Sequence, residues 1–133
     1  MLTIKQTAEL LDISEHTIRF YTDKGLVPGL DRDSNNHRLF NEKSLNWLRG
    51  AINLRNSGMS LSSVKYYIDL CVLGEETIPL RLELLREQKK LADENLRLAS
   101  QSVDFLSRKL SIYEESLKKG EDALNPCTWG SKT

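Results

Sequence analysis

Ile4, Ala8 and Leu11 recur at spacings of four and three with polar residues between them, which predicts a short amphipathic helix at the start of the chain. Thr3 followed by Gln6 is the capping-box pattern that would start it. After a break at "DIS", Ser14 can cap a second helix running to about Lys24. Gly25 then supplies the left-handed residue a helix end often needs, and Pro28 opposes continuation. Over residues 27–41, "VPGLDRDSNNHRLFN", the helical period is lost. A turn-rich centre is flanked there by Leu30 and by Leu39 with Phe40. Asn35-Asn36 can take positive φ at lower cost than most residues, so the segment predicts a small two-stranded wing. Asn41 caps a third helix carrying Leu45, Leu48 and Ile52, which stops at Gly58. Ser60 caps a fourth, with Leu61, Val64, Ile68 and Cys71 on one side, ending near Gly74. The linker "GEETIP" follows, and its Pro79 suits the first turn of another helix.

From there to Lys119 no glycine or further proline interrupts the chain. Ala92, Leu96, Ala99, Val103, Leu106, Leu110, Tyr113 and Leu117 alternate spacings of four and three, the seam of a coiled coil sustained for about four heptads. A second stripe, Leu84, Leu91, Leu98, Phe105 and Ile112, repeats every seven residues beside it. A helix of this extent reaches roughly 60 Å at about 1.5 Å per residue, too long to bury its apolar faces on a small head. A lone helix folded back on its own domain is the competing interpretation. The unbroken length favours a second copy as partner, hence a homodimer. The last fourteen residues, "GEDALNPCTWGSKT", have no period and form a tail.

Composition narrows the classes. The 133 residues allow one domain, or one small domain plus an extended element, and 39% hydrophobic with 29% charged residues fits a soluble chain with a modest core and a large charged surface. No apolar run approaches the roughly 18 residues of a membrane span, and the amphipathic start "MLTIKQTAEL" is no signal peptide. Two cysteines 56 positions apart make no disulfide framework, which points to the cytoplasm. Net charge is zero; residues 1–66 hold nine Lys or Arg against seven Asp or Glu, a balance of +2. Any nucleic-acid contact must therefore come from placed residues and not from a bulk basic field.

Such residues stand in "SEHTIRFYTDKGL", where Arg19, Phe20 and Tyr21 are adjacent on the second helix. Successive helical residues lie about 100° apart, so the three fan across roughly 200° and cannot share one core. With Ile18 facing the first helix, Tyr21 lies about 60° from it, its ring half buried and its hydroxyl outward. Thr17 and Arg19 flank Ile18, and Phe20 lies nearly opposite. A guanidinium and a phenol at the edge of a second helix suit a major-groove reader, with Arg gripping guanine edges or phosphate and Tyr fixing register on a phosphate. A surface Arg beside a core-edge Tyr with no ligand is the plainer alternative.

The order "TIKQTAELLDISEHTIRFYTDKGLVP", "NNHRLF", "LRNSGMSLSSVKYYI" and then a long heptad helix resembles the MerR family of bacterial transcription regulators over essentially residues 1–118. The resemblance implies a mainly α fold: a winged helix-turn-helix head with a small β-hairpin wing over 1–75, a coiled-coil dimerisation helix over 76–119 that pairs antiparallel with its mate, and a tail over 120–133. The family's "TIRYY" motif falls on Thr17, Ile18, Arg19, Phe20 and Tyr21, with Phe20 losing one hydroxyl. Its wing motif "GYR-Y" falls on Asn36, His37, Arg38 and Phe40. By that resemblance Thr17, Arg19, Tyr21, His37 and Arg38 face DNA, and Arg55 in "LRNSGMSL" contacts a phosphate from the second wing. Lys65 is better read as a solvated charge. Such dimers sit on an over-long promoter spacer and distort it, bringing the elements that RNA polymerase contacts into phase.

The expected partners are double-stranded promoter DNA, a second copy of the chain and, indirectly, RNA polymerase, with no membrane, cofactor or metal. No enzyme is expected, since His16 and His37 sit in the DNA-facing part and neither cysteine has a ligand-spaced or acid-base neighbour. An excisionase-like architectural DNA binder and a coiled-coil adaptor for proteins are the alternative functions. For a sensor, the third helix lacks the cysteine of thiol-responsive members, and the tail carries Cys127 without the second cysteine of metal sensors. Cys71 is expected to be a small buried hydrophobe, and Cys127 an accessible, incidental thiol, with redox or electrophile sensing through Cys127 as the alternative.

Overall fold

Thr3 does two jobs at once. It closes the two-residue strand β1 (Leu2–Thr3) and caps helix α1 (Ile4–Leu11), its hydroxyl accepting from the Gln6 N–H while the Gln6 side chain accepts from the Thr3 N–H. The computed structural model describes residues 1–120. They form a mainly helical chain: after α1 come α2 (Glu15–Asp23), β2 (Asp31–Arg32), β3 (Arg38–Phe40), α3 (Glu42–Asn56), α4 (Leu61–Leu73), a single 3-10 turn at Glu75–Thr77, and α5 (Ile78–Lys119). The chain divides into two compact units, Met1–Lys89 and the part from Lys90 onward.

In the first unit every predicted cap is made. Ser14, Asn41 and Ser60 each accept the backbone N–H three residues on, at 3.0, 2.9 and 3.2 Å. Helices α2 and α3 end in the same Schellman geometry. Gly25 and Gly58 take φ of +76° and +94°, and the next N–H, of Leu26 or Met59, reaches back to the carbonyl of Tyr21 or Leu54. The residue after each glycine is buried, so each helix end also seats a core side chain. Asp12 plays the glycine's part at the end of α1, with φ of 53°.

The wing holds one strand more than the sequence pattern predicts. β3 is the central strand of a three-stranded antiparallel sheet, paired with β2 through Arg32 and Arg38 and with β1 through Leu2 and Phe40. At the hairpin tip Asn36 alone takes the positive φ, 64°, and its N–H donates to the Asp33 carbonyl; Asn35 does not share that conformation. The Asp33 carboxylate accepts from the N–H groups of Asn35 and His37, both at 2.9 Å. The bond from His37 is the chief reason its carboxyl is held below the usual carboxylate range.

Two apolar clusters fill this unit. Ile18, Val27, Phe40, Leu45 and Leu48 make the first, and Leu26, Ala51, Met59, Val64 and Ile68 the second. α3 contributes to both, while Tyr21 and Trp47 pack against each. The corner from α4 into α5 is locked by Thr77, whose hydroxyl bonds the Leu70 and Gly74 carbonyls, and by Arg81, which donates to Thr77 Oγ1 and to the Gly74 carbonyl. Gln88 donates to the Ser57 carbonyl at 3.1 Å, tying the early turns of α5 to the α3–α4 loop.

In the second unit α5 continues without a break and buries none of its side chains. Arg97 grips Glu94, and Lys119 lies 3.5 Å from Glu115. Along the predicted seam Leu96 is 70% exposed, Val103 61%, Leu110 61% and Leu117 87%. These large aliphatics form a contiguous exposed apolar row along the helix.

Candidate nucleic-acid interface

Helix α2 is anchored by Ile18 and Tyr21 and leaves most of its other side chains toward solvent. Ile18 is fully buried against the first cluster, which fixes the rotation of the helix. Arg19 then points outward with its side chain 50% exposed, Nη2 3.4 Å from Glu15 Oε1. An exposed pair at that distance contributes little, so the guanidinium can leave it at small cost. Thr17 is half-buried, with Oγ1 2.8 Å from Ser14 Oγ at the start of the helix. Tyr21 is half-buried as well, wedged between both clusters. Phe20 is exposed on the far side, its ring centroid 6.0 Å from that of Tyr21 and 5.6 Å from Lys24 Nζ.

The wing places His37 and Arg38 very differently. His37 stands at the tip, 74% exposed, with Nδ1 3.3 Å from Asp33 Oδ2. Arg38 turns inward: Nε donates to Thr22 Oγ1 and Nη2 to Asp23 Oδ1, each at 2.8 Å, and the side chain is only 17% exposed. Thr22 and Asp23 thus hold the wing arginine, contacts that the sequence pattern does not bring forward. Arg55 is likewise engaged, Nη1 donating to the Met59 carbonyl at 2.9 Å where it steadies the α3–α4 loop. Lys65 pairs with Asp69 one turn on, as a surface charge does.

The eight seam positions lie along α5, where seven are exposed and Ala92 is half-buried. Cys71 departs from its expected burial. Val64 and Ile68 enter the second cluster, whereas Cys71 is half-buried in a groove beside Trp47 and Val72, 3.9 Å from Arg81 Nη1. Burial and the neighbouring Cys71 push the Tyr67 phenol above its ordinary range. Cys127 lies outside the described residues. Among the described residues no group of three His, Cys, Asp or Glu is arranged to hold a metal ion, and no helix is long and apolar enough to cross a membrane.

The arrangement therefore offers an exposed helix face carrying a guanidinium, a hairpin tip beside it and a separate apolar ladder. Comparison with known proteins agrees with such a build. Residues 2–70 match the family described as MerR HTH family regulatory protein. An uncharacterized HTH-type transcriptional regulator of Haemophilus influenzae is 35% identical over 118 residues, spanning 89% of this chain and 87% of its own length. The crystal structure of HiNmlR, a MerR family regulator lacking the sensor domain, bound to promoter DNA, superposes with a TM-score of 0.80 at 34% identity, covering 90% of this chain and 94% of that one. A MerR family regulator from Bacillus thuringiensis gives 0.74 at 30% identity over 83% and 96% of the two chains.

Proposed function

The chain belongs to the MerR family of helix-turn-helix transcription regulators, and on that premise we propose that it works in the cytoplasm as a homodimer on a promoter operator. The observation that carries this reading is the half-exposed Arg19, on a helix whose rotation is fixed by buried Ile18 and whose end is stapled to the wing. Arg19 reads a base edge, Tyr21 and Thr17 hold register on the backbone, and His37 approaches from the wing tip. Arg55, already steadying its loop, reaches a phosphate at the second wing. No catalytic role is assigned to any residue.

The ladder from Ala92 to Leu117, exposed at seven of its eight positions, is the dimer seam, and pairing through it duplicates the reading head. A two-fold protein asks for a two-fold operator. Two heads held by a stiff helix pair can then bend and untwist the DNA between promoter elements, at a deformation cost of up to about 6 kcal/mol for smooth bending, so that RNA polymerase meets them in phase. Footprinting on the gene's own upstream region tests this. Protection of a palindrome between promoter elements is the expected result, and scattered or absent protection would overturn it.

A further inference from the structure

Arg38 occupies the wing position from which an arginine is expected to reach DNA, yet its guanidinium is spent inside the protein. Nε donates to Thr22 Oγ1 and Nη2 to Asp23 Oδ1, both at 2.8 Å, across a sequence gap of sixteen and fifteen residues. Thr22 Oγ1 has one hydrogen, which it donates to the Arg19 carbonyl at 3.0 Å. A continuous chain of donors thus runs from the central strand of the wing to the backbone of the residue that reads DNA. Asp23 is also the last residue of α2, where a cation complements the helix dipole. Its carboxylate is 65% exposed, and without Arg38 it would put a bare negative charge at the edge of the proposed DNA face.

From this geometry we infer that Arg38 is a positioning residue and not a DNA ligand: it clamps the wing to the end of α2, sets the presentation of Arg19 and cancels the charge of Asp23. The inference rests on the DNA-reading function proposed above. Two donors set in a planar fork reach the hydroxyl and the carboxylate together. A lysine ammonium carries three donors but no fixed fork, and so does not hold the two acceptors in this geometry.

The experiment titrates the full-length protein onto its footprinted operator by fluorescence anisotropy across a salt series. Arg38→Ala is expected to weaken binding about tenfold, in line with losing charge-assisted hydrogen bonds. The slope of log affinity against log salt should stay that of the parent. Arg38→Lys should bind as poorly as Arg38→Ala although it keeps the charge. Adding Asp23→Asn to Arg38→Ala should restore part of the loss, because the uncompensated carboxylate is gone. A phosphate contact behaves oppositely. Arg38→Ala would then lower the magnitude of the salt slope by about 0.9, Arg38→Lys would bind like the parent, and Asp23→Asn would rescue nothing; any of these overturns the inference. Failure of the parent itself to bind any operator specifically would sink the DNA-reading function instead.

Discussion

Arg19 and Tyr21 sit two positions apart on α2 and should fail differently when altered. Arg19→Ala removes a guanidinium that is half in solvent and paired only loosely, so it should leave the melting temperature near that of the parent. Specific binding should fall by about 1–3 kcal/mol, the worth of a good bidentate base contact. Tyr21→Phe keeps the ring between the two apolar clusters and removes only the hydroxyl, so affinity should drop evenly across operator and non-operator sequences. Competition titrations at fixed salt separate the two patterns, and parent-like binding by both variants would move the DNA face elsewhere. At this scale the sequence was legible where a helix decides direction. Ile18 inward, Arg19 outward and Phe20 opposite all follow from 100° steps. A strand decides Arg38: it is two residues from Phe40, which is fully buried, and alternation puts both on the same face of β3. The signal lies in "RLF", where the arginine shares its register with a core aromatic.

Helix boundaries were legible because their chemistry is local: a cap lies within three residues of its target, and a left-handed glycine within one of the helix end. β1 was not legible. Two residues carry no period, and its partner strand lies more than thirty positions away, so only the folded sheet reveals it. The twin glycine ends of α2 and α3 allow a sharp comparison. A methyl group at Gly58 would meet Gln88 Nε2 at an ordinary 3.5 Å, so Gly58→Ala bears only the left-handed backbone cost of about 1–2 kcal/mol. At Gly25 the same methyl would come within 3.1 Å of Lys65 Cε as well, and the lysine stem must give way. Thermal melts should place Gly25→Ala at or slightly below Gly58→Ala, both below the parent. A parent-like melt for either would mean its helix ends without the left-handed residue.

Across the whole chain, the head and the seam should be separable by mutation. Val103 is exposed and lies in the second unit, so Val103→Asp leaves the folding of the first unit untouched. In the proposed dimer it would bury an unpaired carboxylate, a penalty of several kcal/mol. The expected outcome is a monomer by light scattering that has also lost operator binding. A variant that remains dimeric would assign the interface to another face. The continuity of α5, 42 residues with no glycine and with its one proline in the first turn, carries one more consequence. In the proposed antiparallel dimer such a helix pair would act as a ruler. Inserting three heptads between Ala99 and Val103 keeps the seam in phase and lengthens each antiparallel helix by about 32 Å. Along DNA that is close to one helical turn, about 34 Å, so the second half-site returns to the same face. Operators with half-sites moved apart by about one turn should then be preferred in a selection from a spacer library, and a four-residue insertion should select none. The distance at which this protein measures its promoter would be written in the number of heptads it carries.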